Sequence, residues 1–499
     1  MQFDSILDGI EFLRRAGPSS SVSGVEYDSR RVGTGSLFVA MQGGRTDGNR
    51  YIAQAVERGA SAIVTDSGAA FDRASRDYPQ TALVETAHGR QALSLLSSNF
   101  FAHPERQLKL SGITGTNGKT TTAFLLEAML QSAGRSTVLA GTIEYHVAGQ
   151  VRPAPHTTPE SRDLLELFRE GVDAGASEAV MEVSSHALDQ GRVFGLCFDV
   201  AIFTNLTRDH LDYHGSMEAY FAAKRRLFDG SQGPPSRAAV LNSDDEHGRE
   251  LRAVAISAGS EAVFTYGLQK ADFRAEEVEM SASGMRFAIV TPFGNTRIET
   301  RLTGRVNVYN LLAASAAASA RGLTLSQIAA GAQGLTGVPG RFESIACGQK
   351  FAVIVDYAHT DDALTNVLTA ARDFVKTTGG RVITLFGCGG DRDRSKRPLM
   401  GHAAGAASDV VVLTSDNPRS EDPQAILDDV LAGLRGARAA VLVEPDRERA
   451  IHMAIATARP GDLVLLAGKG HEKTQTFADR VIPFDDAAVA CAALSALDH

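Results

Sequence analysis

One short stretch of the sequence combines the residue types that hold phosphate groups. An apolar segment ends in a loop that opens an amphipathic segment, and the loop region supplies Gly112, Gly115, Gly118, Lys119 and Thr120. Glycines let backbone N–H groups approach an anion, a lysine can reach the outer phosphates of a nucleotide, and a threonine hydroxyl can hold Mg²⁺. Ile113 replaces the first glycine of the usual pattern. The strand and helix on either side favour a nucleotide-binding loop over a plain glycine-rich turn.

Two further side chains are suited to binding a divalent ion. Glu182 lies at the end of the apolar segment 178–183, and His210 follows the segment 200–204. Ligands of parallel sheets gather beyond the carboxyl ends of the strands, so we expect both side chains near a magnesium ion on Thr120. For His210, a metal ligand and a hydrogen-bonded loop histidine are equally open interpretations.

Lys224 lies on the apolar stripe of the predicted helix 216–228, in register with Phe221 and Phe228. We expect it to be partly buried. Burial lowers the pKa of an ammonium group and leaves some neutral amine, which can add carbon dioxide and become a metal-binding carbamate. This segment alone favours a lysine that extends past the stripe to solvent.

Polar residues follow four apolar segments near the end of the chain, and they predict a second ligand site. The exits carry Asp356 with His359, then residues 387–392, 416–419 and 468–472. Two guanidiniums, Arg392 and Arg419, suit carboxylates, and Glu472 suits an ammonium group. An amino acid with more than one charged group is the matched ligand, although each residue taken singly is more often a surface charge.

The first hundred residues offer a weaker signal. Asp28, Ser29 and Arg30 place an acceptor, a hydroxyl and a guanidinium close together, as recognition of a phosphorylated ligand requires. Taken alone, a solvated turn is the favoured interpretation.

Elements that can position these residues are legible along the 499-residue chain. Strands and helices alternate throughout, which predicts an α/β protein with parallel sheets. Residues 272–304 switch to two-residue alternation and predict antiparallel strands, and glycines with a proline at 337–342 predict a linker. We expect three domains: 1–100, a central nucleotide-binding domain at 101–337, and a Rossmann-like domain at 338–499.

Composition excludes several classes of function. The formal net charge of −9 argues against a nucleic-acid or membrane-surface binder. Four widely spaced cysteines show no metal or redox spacing and predict reduced thiols. No apolar run has the length of a membrane span, and the N-terminus lacks the pattern of a signal peptide. We expect a cytoplasmic protein without membrane insertion.

Seven motifs together resemble the Mur ligases of peptidoglycan synthesis, in order and over essentially the whole chain. They are Thr114-Gly-Thr-Asn-Gly-Lys-Thr-Thr121, Glu182-Val-Ser-Ser-His186, Arg208-Asp-His-Leu-Asp-Tyr-His214, Gly340-Arg-Phe-Glu343, Asp356-Tyr-Ala-His359, Asp416-Asn-Pro-Arg419 and Gly468-Lys-Gly-His-Glu472.

The resemblance implies roles for residues at matching positions. ATP would contact Gly115, Thr116, Asn117, Gly118, Lys119, Thr120, Thr121, Asn310, Arg341 and Asp356. A UDP-muramoyl dipeptide would contact Tyr27, Ser29, Gly44, Arg45, Thr46, Thr157, Thr158, Ser184, Gln190 and Arg192. The incoming amino acid would contact Arg392, Asp416, Asn417, Pro418, Arg419, Gly468 and Glu472. The catalytic set would be Lys119, Glu182, His210 and Lys224, the last three holding Mg²⁺ with Thr120 once Lys224 is carbamylated.

The implied reaction is ATP-dependent amide formation through an acyl phosphate, within peptidoglycan precursor synthesis. It would add meso-2,6-diaminopimelate to the D-glutamyl γ-carboxylate of UDP-N-acetylmuramoyl-L-alanyl-D-glutamate. Arg419 favours diaminopimelate because it can pair with the second carboxylate, which lysine lacks. The resemblance also implies a monomer that supports cell-wall biogenesis, cell shape and cell division.

Three alternatives stay open from the sequence. A lysine-adding Mur ligase would share most motifs, and a folylpolyglutamate-synthase-like ligase would share the ATP-binding core. A nucleotide-gated switch without ligase chemistry would need neither the metal residues nor the amino-acid pocket. The Asp416–Arg419 motif and the long N-terminal region disfavour them.

Overall fold

The computed structural model describes residues 1–44, 46–281 and 284–497. Within these residues the strands form three large sheets and one small hairpin, which follow one another along the chain. The predicted α/β class is confirmed. In this described part of the chain, no helix is both long and apolar enough to cross a membrane.

The first sheet is almost entirely parallel. Its strands are β1 (Arg14–Ala16), β2 (Gly24–Glu26), β3 (Ser36–Ala40), β4 (Ala62–Thr65) and β5 (Ala82–Glu85), and its helices are α1 (Phe3–Ile6), α2 (Ile52–Glu57), α3 (Gly68–Asp77) and α4 (Gly89–Phe100). The order is β1-β5-β4-β3-β2, and only the edge strand β1 runs antiparallel to its neighbour. Every residue of β3, β4 and β5 is buried, which explains their continuous apolar sequence.

The second sheet is the largest. Its strands are β6 (Lys109–Thr114), β7 (Thr137–Ala140), β8 (Glu144–Val147), β9 (Gln150–Pro153), β10 (Glu178–Glu182), β11 (Val200–Phe203), β12 (Ala238–Asn242), β13 (Ala262–Gly267), β14 (Phe273–Ser281), β15 (Gly284–Thr291) and β16 (Gly294–Thr300). Its helices are α5 (Lys119–Ser132), α6 (Ser161–Asp173), α7 (Ser185–Asp189), α8 (Leu211–His214), α9 (Met217–Arg225), α10 (Glu246–Ala258), α11 (Arg305–Ala320) and α12 (Leu325–Gly334).

Strand order explains where ligands can gather in this sheet. It runs β16-β15-β14-β13-β12-β11-β6-β10-β7-β8-β9, and β6 lies between β10 and β11 with all three parallel. The loop after β6 therefore emerges between the ends of the strands that precede Glu182 and His210. From β6 the chain continues to strands on both sides of it, and α/β sheets bind ligands in the crevice at such a point.

The third sheet has the order β17-β18-β22-β19-β20-β21. The elements of this region are β17 (Glu343–Ser344), β18 (Ala352–Asp356), α13 (Asp361–Thr378), β19 (Val382–Phe386), α14 (Lys396–Ala407), β20 (Val410–Leu413), α15 (Pro423–Leu434), β21 (Ala440–Val443), α16 (Arg447–Thr457), β22 (Leu463–Ala467), the hairpin strands β23 (Thr474–Thr476) and β24 (Val481–Pro483), and α17 (Asp486–Leu497). In this six-stranded sheet all neighbouring strands are parallel except β17 and β18, which are antiparallel.

The apolar segments 178–183 and 200–204 match β10 and β11 to within one residue, and the antiparallel segment at 272–304 is confirmed as β14–β16. The helix predicted at 216–228 is shorter in the structure, where α9 ends at Arg225. The hairpin β8–β9 was not predicted: every residue of β9 is exposed, so its sequence carries no apolar alternation. The domain boundaries at 100 and 337 fall between elements and stay predictions.

Candidate active site

The phosphate-binding loop runs from the end of β6 to the start of α5. Backbone φ is +145° at Gly115 and +86° at Gly118, values that side-chain-bearing residues rarely adopt. A Cβ atom at Gly115 would lie 1.8 Å from Thr204 Oγ1, and one at Gly118 would lie 2.5 Å from Asn310 Oδ1. The loop therefore needs glycine at both positions, for conformation and for space.

Lys119 turns back onto this loop. Its Nζ donates to the carbonyl oxygens of Gly115 at 3.0 Å and Thr116 at 2.8 Å, and burial lowers the pKa of Lys119. Thr120 is 4% exposed, and its hydroxyl accepts a hydrogen bond from Arg341 at 3.3 Å. Both side chains sit at the N-terminus of α5, which itself favours an anion.

The remaining loop residues are held by the strand exits beside them. Thr116 Oγ1 donates to the Thr207 carbonyl at 3.2 Å, and the Asn117 amide donates to Asn205 Oδ1 at 2.9 Å. Thr121 is buried in the first turn of α5. The loop is thus shaped by its own neighbours before any ligand arrives.

Lys224 lies beneath the loop. It is 1% exposed, its Nζ donates to the Gly115 carbonyl at 2.7 Å, and the same atom lies 4.4 Å from the centre of the Tyr220 ring. Lys119 donates to the same carbonyl oxygen. Burial first, and then the charge of Lys119, lower the pKa of Lys224 well below its ordinary value. The predicted burial of Lys224 is confirmed, and the alternative that it extends to solvent is wrong.

Glu182 and His210 line the same cleft as Thr120. Glu182 is 1% exposed, and its two carboxylate oxygens accept hydrogen bonds from the amide and the hydroxyl of Thr142 at 2.7 and 3.0 Å. Burial lowers the pKa of His210 to about 4, so its imidazole is neutral at pH 7 and keeps a lone pair.

A divalent ion would need further ligands beyond these side chains. Among the described residues, no three His, Cys, Asp or Glu side chains form a metal cluster by themselves. A hydroxyl, a carboxylate and a neutral imidazole are nevertheless acceptable donors, and Mg²⁺ commonly completes its shell with water and nucleotide phosphates. The donor set of Thr120, Glu182 and His210 therefore fits a nucleotide-bound Mg²⁺.

Residues far along the chain also reach the loop. Arg341, within the predicted linker, contacts Thr120 and stacks 4.5 Å over the Tyr357 ring. Asp356 ends β18 and accepts from the Phe342 amide at 2.7 Å, and burial raises the pKa of Asp356. Their approach leaves a cleft of about 540 Å³ between the second and third sheets, within the usual size of small-molecule sites.

Five of the predicted substrate residues form one network at the end of β10: Thr157, Thr158, Ser184, Gln190 and Arg192. Thr158 Oγ1 donates to the Glu182 carbonyl at 2.8 Å, and Arg192 donates to the Thr158 carbonyl at 2.8 Å. Arg192 also donates to Gln190 Oε1 at 2.8 Å, and Ser184 donates its amide to Thr158 Oγ1 at 3.1 Å. Thr157 joins through Thr142, the residue that holds the Glu182 carboxylate.

The predicted residues of the first sheet lie apart from that network. Tyr27 donates to Asp163 Oδ2 on α6 at 2.6 Å, and Ser29 donates to Gln54 Oε1 at 2.7 Å. Gly44 and Thr46 belong to the loop after β3. Arg45, between them, lies outside the described residues. The structure ties Tyr27 to the second sheet's helix layer through Asp163.

Asn417 is the centre of the third-sheet site. Its Nδ2 donates to Glu472 Oε2 at 2.8 Å, and its Oδ1 accepts from Lys469 Nζ at 3.1 Å. Lys469 is fully buried and lies 3.5 Å from Asp416 Oδ1. The Gly468 amide donates to the Asp356 carbonyl at 3.0 Å, which links this site to β18.

The two predicted arginines flank one glycine of the loop after β19. A Cβ atom at Gly389 would lie 2.9 Å from Arg419 Nη1 and 3.8 Å from Arg392 Cγ. Arg419 donates to the Gly390 carbonyl at 2.8 Å, while the buried Pro418 precedes it. The structure therefore brings the Arg419 guanidinium close to this loop, whereas Arg392 is exposed and its guanidinium donates to the Asp391 carbonyl at 3.1 Å.

Sequence reasoning missed two fully buried cations at this site. Lys469 lies inside a quoted motif, and a lysine between two glycines directly after a buried strand was the available signal. Arg447 donates to Asp486 at 2.6 Å and to the Ala467 carbonyl at 3.0 Å, and both members of the ion pair are fully buried. No motif marks Arg447, which positions the end of β22 without lining the cleft.

Family models match most of the chain. The model described as "Mur ligase middle domain" matches residues 113–318, "Mur ligase, glutamate ligase domain" matches 340–470, and "Mur ligase family, catalytic domain" matches 21–101. The chain belongs to the Mur ligase family. The order of the three matches follows the order of the three sheets in this ligase.

Curated relatives and solved structures agree with that assignment. A UDP-N-acetylmuramoyl-L-alanyl-D-glutamate--2,6-diaminopimelate ligase of Solibacter usitatus is 52% identical over 98% of this Mur ligase and 97% of the relative, and one of Geobacillus thermodenitrificans is 47% identical over 97% of each. A solved structure of a ligase with that name is 33% identical with a TM-score of 0.68, covering 96% of each chain. A Mycobacterium tuberculosis folylpolyglutamate synthase shares the fold at 19% identity and a TM-score of 0.62, over 80% of this chain and 93% of its own.

Proposed function

We propose that this Mur ligase uses ATP to join meso-2,6-diaminopimelate to the D-glutamyl γ-carboxylate of UDP-N-acetylmuramoyl-L-alanyl-D-glutamate. Relatives that carry the name of this activity match nearly the whole chain. The observation that supports the choice of amino acid is the third-sheet site, where the loops that carry Arg392 and Arg419 meet at Gly389, close to the backbone of Asn417, whose side chain bonds to Glu472.

The charges of that site match the proposed amino acid. Diaminopimelate has two carboxylates and two ammonium groups, and lysine lacks one carboxylate. A single guanidinium can bind a carboxylate through two parallel hydrogen bonds, and Glu472 can accept from an ammonium group. A buried carboxylate without a partner would cost binding energy, so Arg419 favours the amino acid that supplies it.

The residues of the phosphate-binding loop would direct the first step, transfer of the ATP γ-phosphoryl group to the γ-carboxylate. Lys119 would leave its two backbone carbonyls and donate to the transferred group, where negative charge accumulates. Thr120, Glu182 and His210 would hold Mg²⁺, which when bound neutralises phosphate charge. Thr158 and Arg192 would orient the dipeptide beside Glu182.

The position of Lys224 supports its carbamylation. Two lysine ammonium groups share the single carbonyl of Gly115, and one of them is fully enclosed. Loss of the Lys224 charge relieves that repulsion, and the neutral amine that results is the form that adds carbon dioxide. A carbamate there would carry a negative charge toward the metal and toward Lys119.

In the second step the free amine of the amino acid would attack the acyl phosphate and release phosphate. Arg341 in the linker at 337–342 and Asp356 beyond it would close the cleft and exclude water from that intermediate. We also propose that residues 1–100 bind the UDP part, 101–337 bind ATP and 338–499 bind the amino acid. The enzyme would act as a cytoplasmic monomer in cell-wall synthesis, and thereby in cell shape and division.

Phosphate release with the UDP-dipeptide and ATP tests this function. We expect meso-diaminopimelate to stimulate release strongly, lysine to stimulate it weakly, and no stimulation without an amino acid. Stimulation by lysine alone would refute the proposed specificity. A lack of stimulation by either amino acid, with a folded protein that binds ATP, would refute the ligase activity.

A further inference from the structure

Two cysteines that are far apart in the sequence meet in the third-sheet region. Cys347 follows β17 and Cys491 lies on α17, 144 positions later, yet their Sγ atoms are 3.4 Å apart. Both residues are partly exposed. The spacing of the four cysteines predicted isolated thiols, so this pairing is visible only in the folded chain.

We propose that Cys347 and Cys491 form a covalent modification site, a reversible intramolecular disulfide produced by peroxide. A disulfide has an S–S bond of about 2.0 Å, so the two sulfurs need to approach by only roughly 1.4 Å. Rotation of two short side chains supplies such a movement. The proposal is independent of the amino acid that the enzyme uses.

The chemistry balances with peroxide as the oxidant. One thiolate attacks a peroxide oxygen, which breaks the O–O bond, gives a sulfenic acid and releases hydroxide. The second thiolate attacks the sulfenic sulfur, forms the S–S bond and releases another hydroxide. The protons lost by the two thiols convert the hydroxides to water. Overall, two thiols are oxidised to one disulfide and one peroxide is reduced to two waters.

The surroundings keep the site reduced under mild conditions. Burial, followed by the hydrogen bond with Cys347, raises the pKa of Cys491, and the carboxylates of Asp485 and Glu343 act in the same direction. Thiolate is the reactive form, so a raised pKa slows oxidation. Attack on peroxide by the Cys491 thiol is therefore slowed, and a disulfide reductant restores both thiols after oxidation.

The disulfide would restrain the start of the third region against its last helix. The Cys347 amide donates to Gln349 Oε1 at 2.7 Å, and the adjacent Ala346 and Gly348 line a cavity of about 830 Å³. Leu302 from the second-sheet region also lines that cavity. A bond that closes so long a loop removes much unfolded-chain freedom, so we expect the third region to gain stability.

Alkylation mass spectrometry of the full-length protein tests the proposal. The reduced protein should take up four alkyl groups after denaturation, and the peroxide-treated protein should take up two, with a peptide containing Cys347 linked to one containing Cys491. Dithiothreitol should restore four. The midpoint of thermal unfolding of the third region should rise by about 5–10 °C on oxidation.

Cys347→Ser and Cys491→Ser should each abolish the linked peptide, whereas Cys197→Ser should retain it. Cys347→Ala provides a second variant if the serine at that position disturbs folding. Retention of all alkylation sites after peroxide would overturn the proposal, as would separate sulfinic acids or links between molecules. A linked peptide without the thermal shift would overturn the proposed restraint.

Discussion

The phosphate-binding edge of the second sheet and the proposed amino-acid edge of the third sheet both lie at the ends of parallel strands, but they hold their charges differently. At the first edge, Lys119 and Lys224 donate to backbone carbonyls of one contiguous loop. At the second edge, Lys469 pairs directly with Glu472 at 3.1 Å, and the side chain of Asn417, from another loop, bonds to both. The first edge uses backbone groups of a local motif, whereas the second uses side chains from separate loops.

Because of this difference, the two edges depend on different parts of the enzyme for their shape. The phosphate loop is a contiguous segment shaped by its own glycines and the N-terminus of α5, with neighbours such as Asn205 holding its amides. A pocket made by side chains of several strand exits depends on whatever holds those exits together. In the third sheet that support is the buried pair of Arg447 and Asp486, which contacts the end of β22 and carries no charge into the cleft.

Breaking that support should have the largest effect. We expect Arg447→Met to destabilise the third region by about 3–5 kcal/mol, because it leaves the Asp486 carboxylate buried without its partner. Hydrogen exchange of β20 and β22 and the thermal midpoint of this region would measure the loss. The double variant Arg447→Met/Asp486→Leu should recover part of it, since the uncompensated charge is then gone. A single variant as stable as the wild type would refute the supporting role.

Lys119→Ala should come next and should affect the first edge alone. We expect kcat for phosphate release to fall about 10²–10³-fold, because a cationic donor to the transferred group is lost. The KM for the amino acid should change little. Lys270→Ala, at an exposed lysine of the same region, is the matched control. A loss of less than tenfold would contradict the role of Lys119.

Arg419→Ala should affect the second edge alone, with a smaller effect. We expect the KM for meso-diaminopimelate to rise about 10- to 100-fold, because a hydrogen-bonded charge pair contributes roughly that factor to binding. The KM for ATP should stay the same, and lysine use should be unaffected. Arg394→Ala, an exposed arginine paired with Asp429 in the same region, should leave both KM values unchanged. An equal rise in KM for both amino acids would mean that Arg419 does not bind the second carboxylate.

The two edges were not equally predictable from the sequence, because one is a contiguous motif and the other is assembled from separate loops. The phosphate loop and the exits at Glu182 and His210 were predictable, because ligand-binding residues gather at the carboxyl ends of parallel strands. Helix periodicity placed Lys224 on the apolar stripe, although that segment alone favoured a side chain that reaches solvent. Lys469 carried a signal that was overlooked, a lysine between two glycines after an apolar segment, whereas Arg447 carried none, because its partner Asp486 lies on another helix. The approach of Cys347 to Cys491 was equally invisible, since nothing in a spacing of 144 residues specifies contact.

The smallest expected effect concerns a surface contact between the two edges. Arg208 donates to Ser395 Oγ at 3.1 Å and lies 3.5 Å from Asp393, with both charged side chains about a third exposed. Exposed ion pairs contribute about 0–1 kcal/mol and are screened by salt. Arg208→Ala should therefore lower kcat/KM by only about twofold, and less at high salt. Arg226→Ala removes a similarly exposed pair with Asp189 inside the second region, so it should lack even that effect. A tenfold loss for Arg208→Ala that persists at high salt would show that Arg208 binds substrate directly, rather than joining the two edges.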